Sequence, residues 1–222
     1  TQARPRSPIV RRSGPPIAGI VAIAVVVVAV VALVGARLLG LGAGGASSQD
    51  NQPVPAAILT AVTQIPAGTL ETAGAGSGAS KVVRLPGPLW KTPDGKAQVL
   101  YIGAEYCPYC ASQRWALVVA LSRFGQFSGL ELMTSASDDV YPSTPTFTFA
   151  RASYASQFLA FSSVEGTTNK RQGNQYAPLQ TPTADQQQRI QKYDAAPYIA
   201  AGSEGSIPFL SLIHISEPTR QA

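Results

Sequence analysis

Cys107 and Cys110, separated only by Pro108 and Tyr109, are the two cysteines of the chain, and their spacing suits one chemistry above others. A thiolate attacks a disulfide sulfur, so such a reaction needs one cysteine of lowered pKa and a second close enough to resolve the mixed disulfide. At a helix start, Cys107 would meet unpaired N–H groups and the positive end of the helix dipole. Cys110, one turn inside, would be the resolving thiol. Other readings of the pair are a passive disulfide, two buried thiols, or half of a metal or cluster site completed by a second subunit. Two cysteines cannot make a disulfide scaffold, and with one histidine they cannot fill a four-ligand structural zinc site.

The elements that must position the pair are legible on both sides. Thr92-Pro93-Asp94-Gly95 is a turn in which Pro presets φ and Gly tolerates a positive φ. It leads into the apolar run from Ala97 to Gly103, which predicts a buried strand. From Pro108 a helix is expected to about Gln126, proline being tolerated in a first turn. Leu117, Leu121 and Phe124 share one face of it, and Trp115, Val118 and Val119 widen the apolar surface. Residues 129–134 read as the next strand, so strand, helix and strand suggest a parallel crossover unit.

Upstream the composition changes sharply. Residues 1–16 are rich in Pro and Arg, and residues 17–36 form a run of twenty residues without a charged or polar side chain. At ~1.5 Å per residue a helix of that length spans roughly the 30 Å hydrocarbon core, which predicts a transmembrane anchor. A cleaved signal peptide is the competing reading, with Ala43-Gly44-Gly45-Ala46 as the place to cut; its apolar region is normally shorter. Arg4, Arg6, Arg11 and Arg12 precede the run and Arg37 follows it, so the N-terminus is expected in the cytoplasm and everything after about residue 40 outside it. The formal charge of +5 resides in those five arginines, because the other twelve Lys/Arg balance the twelve Asp/Glu; it gives no reason to invoke nucleic acid.

The rest reads as follows. The segment up to Pro55 is a flexible linker, a short helix from Pro55 to Thr63 ends at Ile65-Pro66, and a second loop runs from Gly74 to Ser80. Lys81 to Leu85 could be a strand. Between Thr144 and Val164, two β-favouring runs around Arg151 to Ala155 read as an inserted hairpin, and Gly166 to Pro178 as polar loop. Thr183 to Tyr193 reads as a helix with Thr183 or Asp185 near its start. Glu105 and the pair Asp138-Asp139 read as solvated loop residues. Residues 210–222 resemble the in-frame translation of a sequencing adapter, so no role is assigned to His214, and a native domain is expected to continue differently from there.

The run Val99 to Cys110 resembles the thioredoxin superfamily: a core strand, then Ala-Glu-aromatic, then Cys-x-x-Cys, with the glutaredoxin-like Pro-Tyr between the cysteines. More closely, Tyr101 to Ala111, with Arg114-Trp115-Ala116-Leu117 and Ser122-Arg123-Phe124-Gly125, resembles the family catalogued as domain of unknown function 929, over roughly residues 55–209. The resemblance implies an α/β, thioredoxin-like three-layer domain with an inserted β-hairpin, C-terminally truncated and preceded by a single transmembrane helix. It implies Cys107 as nucleophile, Cys110 as resolving thiol, and Pro208 as a cis-proline before a core strand. Ile207 would then be the residue whose backbone holds an incoming peptide beside Cys107, with Tyr106, Tyr109 and Trp115 available for a peptide-binding rim. Thioredoxins carry a buried aspartate six positions before the first cysteine, where this chain has Tyr101.

The organisation expected is a basic cytoplasmic tail over 1–16, an anchor over 17–36, a linker over 37–55, an incomplete thioredoxin-like domain over 56–209 and a non-native tail over 210–222. The function expected is that of a membrane-anchored extracytoplasmic thiol-disulfide oxidoreductase. It would act on cysteines of exported proteins with an unidentified redox partner, and with no cofactor, metal or nucleic acid. The alternatives are a non-catalytic binding module whose cysteines form a structural disulfide, and a glutathione-linked activity that rests on Pro-Tyr alone.

Overall fold

The structure is a computed structural model that describes residues 51–74 and 90–211. The expected cytoplasmic tail and anchor, the strand over residues 81–85, all but the first residue of the Gly74–Ser80 loop and residues 212–222 of the expected non-native tail lie outside them. A short β1 (Gln52–Pro53) leads into α1 (Ala56–Thr63) and α2 (Ala67–Ala73), followed by β2 (Ala97–Gly103) and α3 (Pro108–Leu121). Then come β3 (Gly125–Ser128), β4 (Glu131–Thr134), β5 (Pro145–Thr148), β6 (Ser153–Ser156) and β7 (Leu159–Glu165). The chain continues through β8 (Thr167–Gln172), β9 (Gln175–Pro178), α4 (Ala184–Tyr193) and β10 (Phe209–Ser211). It is a mixed α/β architecture. Among the described residues no helix is long and apolar enough to cross a membrane.

Strand β2 lies at the centre of a three-stranded sheet, parallel to β7 and antiparallel to β10. Successive side chains of a strand point to opposite faces, so its apolar run serves two cores. Val99 and Tyr101 pack with Leu117, Val118 and Leu121 of α3, and with Phe147 and Phe149. Leu100 and Ile102 pack with Val164, Ile190 of α4 and Phe209. Coverage on both faces explains why β2 is apolar at nearly every position rather than alternating.

Several expectations are corrected. The strand after α3 is not the parallel neighbour of β2: β4 pairs antiparallel with β1 and β5, and the parallel partner is β7, reached after four intervening strands. Helix α3 stops at Leu121 instead of near Gln126, because Gly125–Ser128 is strand β3, paired with β6; Phe124 is left exposed. A Cβ on Gly125 would run into the Ala155 carbonyl and meet Ser156 Cβ at 2.7 Å, so only glycine permits this crossing. The runs around residues 151–155 are not a hairpin, since β5 pairs with β4, β6 with β3 and β7 with β2.

The hairpin lies instead where polar loop was expected: β8 and β9 pair antiparallel about Gly173 and Asn174, with Gly173 at φ +63°. Helix α1 occupies the expected segment, and α2 follows directly after Pro66. Helix α4 starts with a capping box in which Thr183 and Gln186 satisfy each other's backbone N–H groups. Strand β10 takes in Leu210 and Ser211, the first two residues of the expected non-native tail, opposite Tyr101 and Leu100.

Candidate functional site

Cys107 is the N-cap of α3, with extended backbone at φ −76° and ψ 121°, and Pro108 occupies the first turn. The strand-to-helix junction leaves the first N–H groups of α3 without intrahelical partners. One of them, that of Cys110, donates to Cys107 Sγ at 3.3 Å. The sulfur therefore takes the place of a capping oxygen. Both thiols are reduced and buried, Cys110 completely and Cys107 to 4% exposure.

The two sulfurs differ sharply in acidity. The Cys110 thiol, donating toward Cys107, lowers the Cys107 pKa most; the backbone N–H groups of Cys110 and Tyr109 and the charge of Arg114 act in the same direction, and burial opposes them. The outcome is a Cys107 pKa of about 7. The same hydrogen bond, together with burial, pushes Cys110 far above the ordinary thiol range. The first cysteine is thus the one that ionises.

Ile207 and Pro208 reach the site from the other end of the domain. Their peptide bond is cis, and Cys107 Sγ faces the Ile207 carbonyl oxygen at 3.9 Å. The structure therefore brings Cys107, Cys110, Ile207 and Pro208 together, with the backbone of Ile207 bordering the sulfur. Tyr106 and Tyr109 diverge. The Tyr106 ring stacks on Tyr176 of β9 at 4.2 Å between centroids, and Arg171 lies over the Tyr176 ring at 4.1 Å. Tyr109 is 56% exposed and meets Tyr141 edge to face at 5.8 Å.

Tyr141 is carried by the 135–144 loop, which closes on itself through Ser135 N–H to the Thr144 carbonyl at 2.9 Å and is tied to the cysteine loop through Ala136 N–H to the Tyr106 carbonyl at 2.9 Å. An aromatic rim thus stands beside the thiols, contributed by the Cys107 loop, the 135–144 loop and the β8–β9 hairpin. Trp115 turns elsewhere: its indole N–H donates to the Pro145 carbonyl at 2.9 Å and its ring packs on Phe147.

Two charged residues that the sequence analysis left without a role lie behind the thiols. Arg114 stands one turn beyond Cys110 on α3 and meets Glu165, the last residue of β7, with neither side chain exposed. Its Nε donates to Glu165 Oε1 at 2.8 Å, and its Nη2 to Glu165 Oε2 and to the Ala104 carbonyl, both at 2.7 Å. Glu165 is fixed in turn by its own backbone N–H, which donates to Gln180 Oε1 at 2.7 Å. Burial alone would favour a neutral guanidine, but the charge of Glu165 reverses this and raises the Arg114 pKa. The sequence signals for Arg114 were its i+4 spacing from Cys110 and its place in the Arg114-Trp115-Ala116-Leu117 run.

Glu105 is corrected as well. It is 5% exposed, not solvated: its carboxylate accepts from the Thr148 hydroxyl at 2.7 Å and its N–H donates to the Thr167 carbonyl at 2.9 Å. Asp138 is exposed as expected, yet it accepts from the Tyr176 hydroxyl at 2.8 Å and from Arg171 Nε at 2.9 Å, and these contacts lower its pKa. No group of three or more His, Cys, Asp or Glu able to hold a metal occurs among the described residues.

A family model described as Domain of unknown function (DUF929) matches residues 88–215, more than half of the chain and including every residue of this site. No curated protein and no solved structure matches.

Proposed function

Because the chain belongs to the DUF929 family, whose description assigns no activity, we propose from the site itself that it is a thiol-disulfide oxidoreductase working through Cys107 and Cys110. The observation that carries this reading is the geometry at one helix start, where the Cys107 sulfur caps α3 and Cys110 lies buried one turn inside. Cys107, with a pKa of about 7, accepts the Cys110 N–H, and Cys110 keeps its proton. In the forward direction the Cys107 thiolate attacks one sulfur of a substrate disulfide, and the other sulfur leaves as a thiolate that takes a proton from water. Cys110 then gives up its proton and attacks Cys107 Sγ, and the substrate departs as its second thiol. Two electrons have passed from the cysteine pair to the substrate, and the reverse sequence oxidises a dithiol.

The finer reading of the fold is thioredoxin-like. It is supported by the order of strand β2, cysteine pair at the start of α3, parallel β7, and β10 following the cis Ile207–Pro208 bond. In that arrangement the Ile207 backbone holds an extended substrate segment beside Cys107, and the Tyr106 and Tyr109 rim receives its side chains. The twenty-residue apolar run over 17–36 and its flanking arginines support a membrane anchor with the domain outside the cytoplasm, where exported proteins carrying cysteines are the substrates.

A Cys110→Ala chain, unable to resolve, should accumulate mixed disulfides with such proteins in intact cells, separable on non-reducing gels and lost with Cys107→Ser. Failure to trap any partner through Cys107 would sink the proposal. A second reading, a non-catalytic binding module with a structural disulfide, draws on the near-complete burial of Cys107. It requires instead that Cys107→Ser leave partner capture intact and that Cys107 alkylate no faster than an ordinary thiol near neutral pH.

A further inference from the structure

Burying a hydroxyl or a guanidinium N–H without a partner is costly, and such groups are rare enough that each needs a reason. Two occur together in the core behind Cys110. Tyr101 is fully buried, and its hydroxyl has no hydrogen-bond partner among the described residues; Arg114 is fully buried, and its Nη1 has none either. The guanidinium carbon lies 5.9 Å from the centre of the Tyr101 ring. Tyr101 and Cys110 belong to the same core cluster, and Arg114 sits one turn beyond Cys110 on the same helix.

The rest of Arg114 is fixed by Glu165 and the Ala104 carbonyl, so Nη1 is the part of the group left over. Gly103, two residues along β2 from Tyr101, makes room for the phenol, since a Cβ there would collide with the Tyr101 hydroxyl. Electrostatics link the three groups: burial raises the Tyr101 pKa most, Arg114 lowers it, and Glu165 and then Cys110 raise it, while Arg114 also acts to lower the Cys110 pKa. In the resting dithiol Cys110 is neutral, its pKa pushed far above the ordinary thiol range, so it carries no charge for either donor to stabilise.

We propose that the Tyr101 hydroxyl and Arg114 Nη1 form a two-donor pocket that receives the Cys110 sulfur as an anion while it resolves the mixed disulfide. This deepens the oxidoreductase reading and rests on it. Donors held in place for a charge that appears only during reaction need no reorganisation when it appears. In the step itself, Cys110 S–H releases its proton to the departing sulfur. The Cys110–Cys107 S–S bond forms as the bond from Cys107 to the substrate breaks, and the transient charge on Cys110 faces the phenol and the guanidinium. In reverse, Cys110 leaves Cys107 as the thiolate into the same pocket.

Ellman's reagent separates the two steps. The reduced full chain in detergent should release one thionitrobenzoate as Cys107 attacks and a second as Cys110 resolves, while Cys110→Ala stops after the first. Tyr101→Phe removes only the unpartnered hydroxyl. It should leave the first phase within about twofold and the melting temperature unchanged or higher, and slow the second phase at least about tenfold, the scale of losing a hydrogen bond to a charged group. A Tyr101→Phe second phase within twofold of the unsubstituted chain overturns the pocket while leaving the oxidoreductase reading in place. Loss of fold or a lowered melting temperature in Tyr101→Phe also overturns it, since the hydroxyl is then satisfied by a buried water in a structural role. If the unsubstituted chain releases thionitrobenzoate only at the rate of an ordinary thiol, the oxidoreductase reading itself falls.

Discussion

Arg114 on α3 and Glu165 on β7 join the helix that carries the cysteines to the strand beside β2 through two hydrogen bonds of 2.8 and 2.7 Å, with both side chains wholly out of solvent. A buried ion pair contributes little net stability relative to apolar residues of the same size, but breaking one strands a charge in the core. Glu165→Ala should therefore cost about 3–5 kcal/mol in urea unfolding. The double substitution Arg114→Met with Glu165→Leu should recover most of that loss. A Glu165→Ala cost below about 1 kcal/mol would mean that water reaches the pair.

The acidity of Cys107 predicts a pH profile. Iodoacetamide should alkylate Cys107 of the reduced chain with a midpoint near pH 7, below the ordinary thiol value of about 8.5. In Cys110→Ala the midpoint should rise, because the thiol that lowers it most is gone.

The same shift has a consequence for stability. A thiol whose folded pKa is depressed binds fewer protons when folded than when unfolded, so its contribution grows as pH rises from about 7 toward the unfolded value and is absent below about 7. The reduced chain should therefore gain stability over that window relative to Cys107→Ser, as measured by urea midpoints at a series of pH values. A difference independent of pH would contradict the depressed pKa.

Gly103 tests the packing beneath the site. A methyl at this position meets the Tyr101 hydroxyl and Cζ, the latter at 2.6 Å, at the end of a strand whose last five residues are buried. Gly103→Ala should destabilise by about 1–3 kcal/mol, as overpacking of a core does. Adding Tyr101→Phe should relieve only part of this, since the ring carbon remains in the way. Complete rescue in denaturant titrations would place the hydroxyl alone at the origin of the conflict.

How much of this could be read beforehand depended on whether the signal was local. Strand β2 and the cysteine pair were legible because one is a short run buried on both faces and the other a spacing with few uses. The start of α4 was legible as Thr183 or Asp185; the cap is Thr183, closed by Gln186 three residues on. Strand pairing was not. Residues 129–134 come just after the helix end expected near Gln126 and so looked like the parallel neighbour of β2, but β3 intervenes, and β1 and β5 occupy both edges of β4. The β8–β9 hairpin stayed hidden because its residues are polar and half-exposed, which removes the apolar alternation that marks a strand. Arg114 and Glu165 stand 51 positions apart, and charged residues read as surface until a partner is seen. Glu105 was misread on that ground alone.

The exposed edge-to-face pair Tyr109 and Tyr141 makes the last prediction. Each is more than half exposed, at 56% and 58%, their rings meet edge to face, and neither belongs to the buried core clusters. They do stand at the mouth of the thiol site, Tyr109 between the two cysteines and Tyr141 on a loop fixed to the Tyr106 carbonyl through Ala136. If they receive the side chains of a protein substrate, Tyr141→Ala should raise KM for a disulfide-containing peptide about fivefold, the scale of losing one aromatic contact of ~1 kcal/mol. It should leave the reaction with Ellman's reagent, too small to span the rim, within twofold, and the melting temperature unchanged. Equal loss with both substrates would instead indicate that Tyr141 acts on the cysteine loop itself, through its contact with Tyr109.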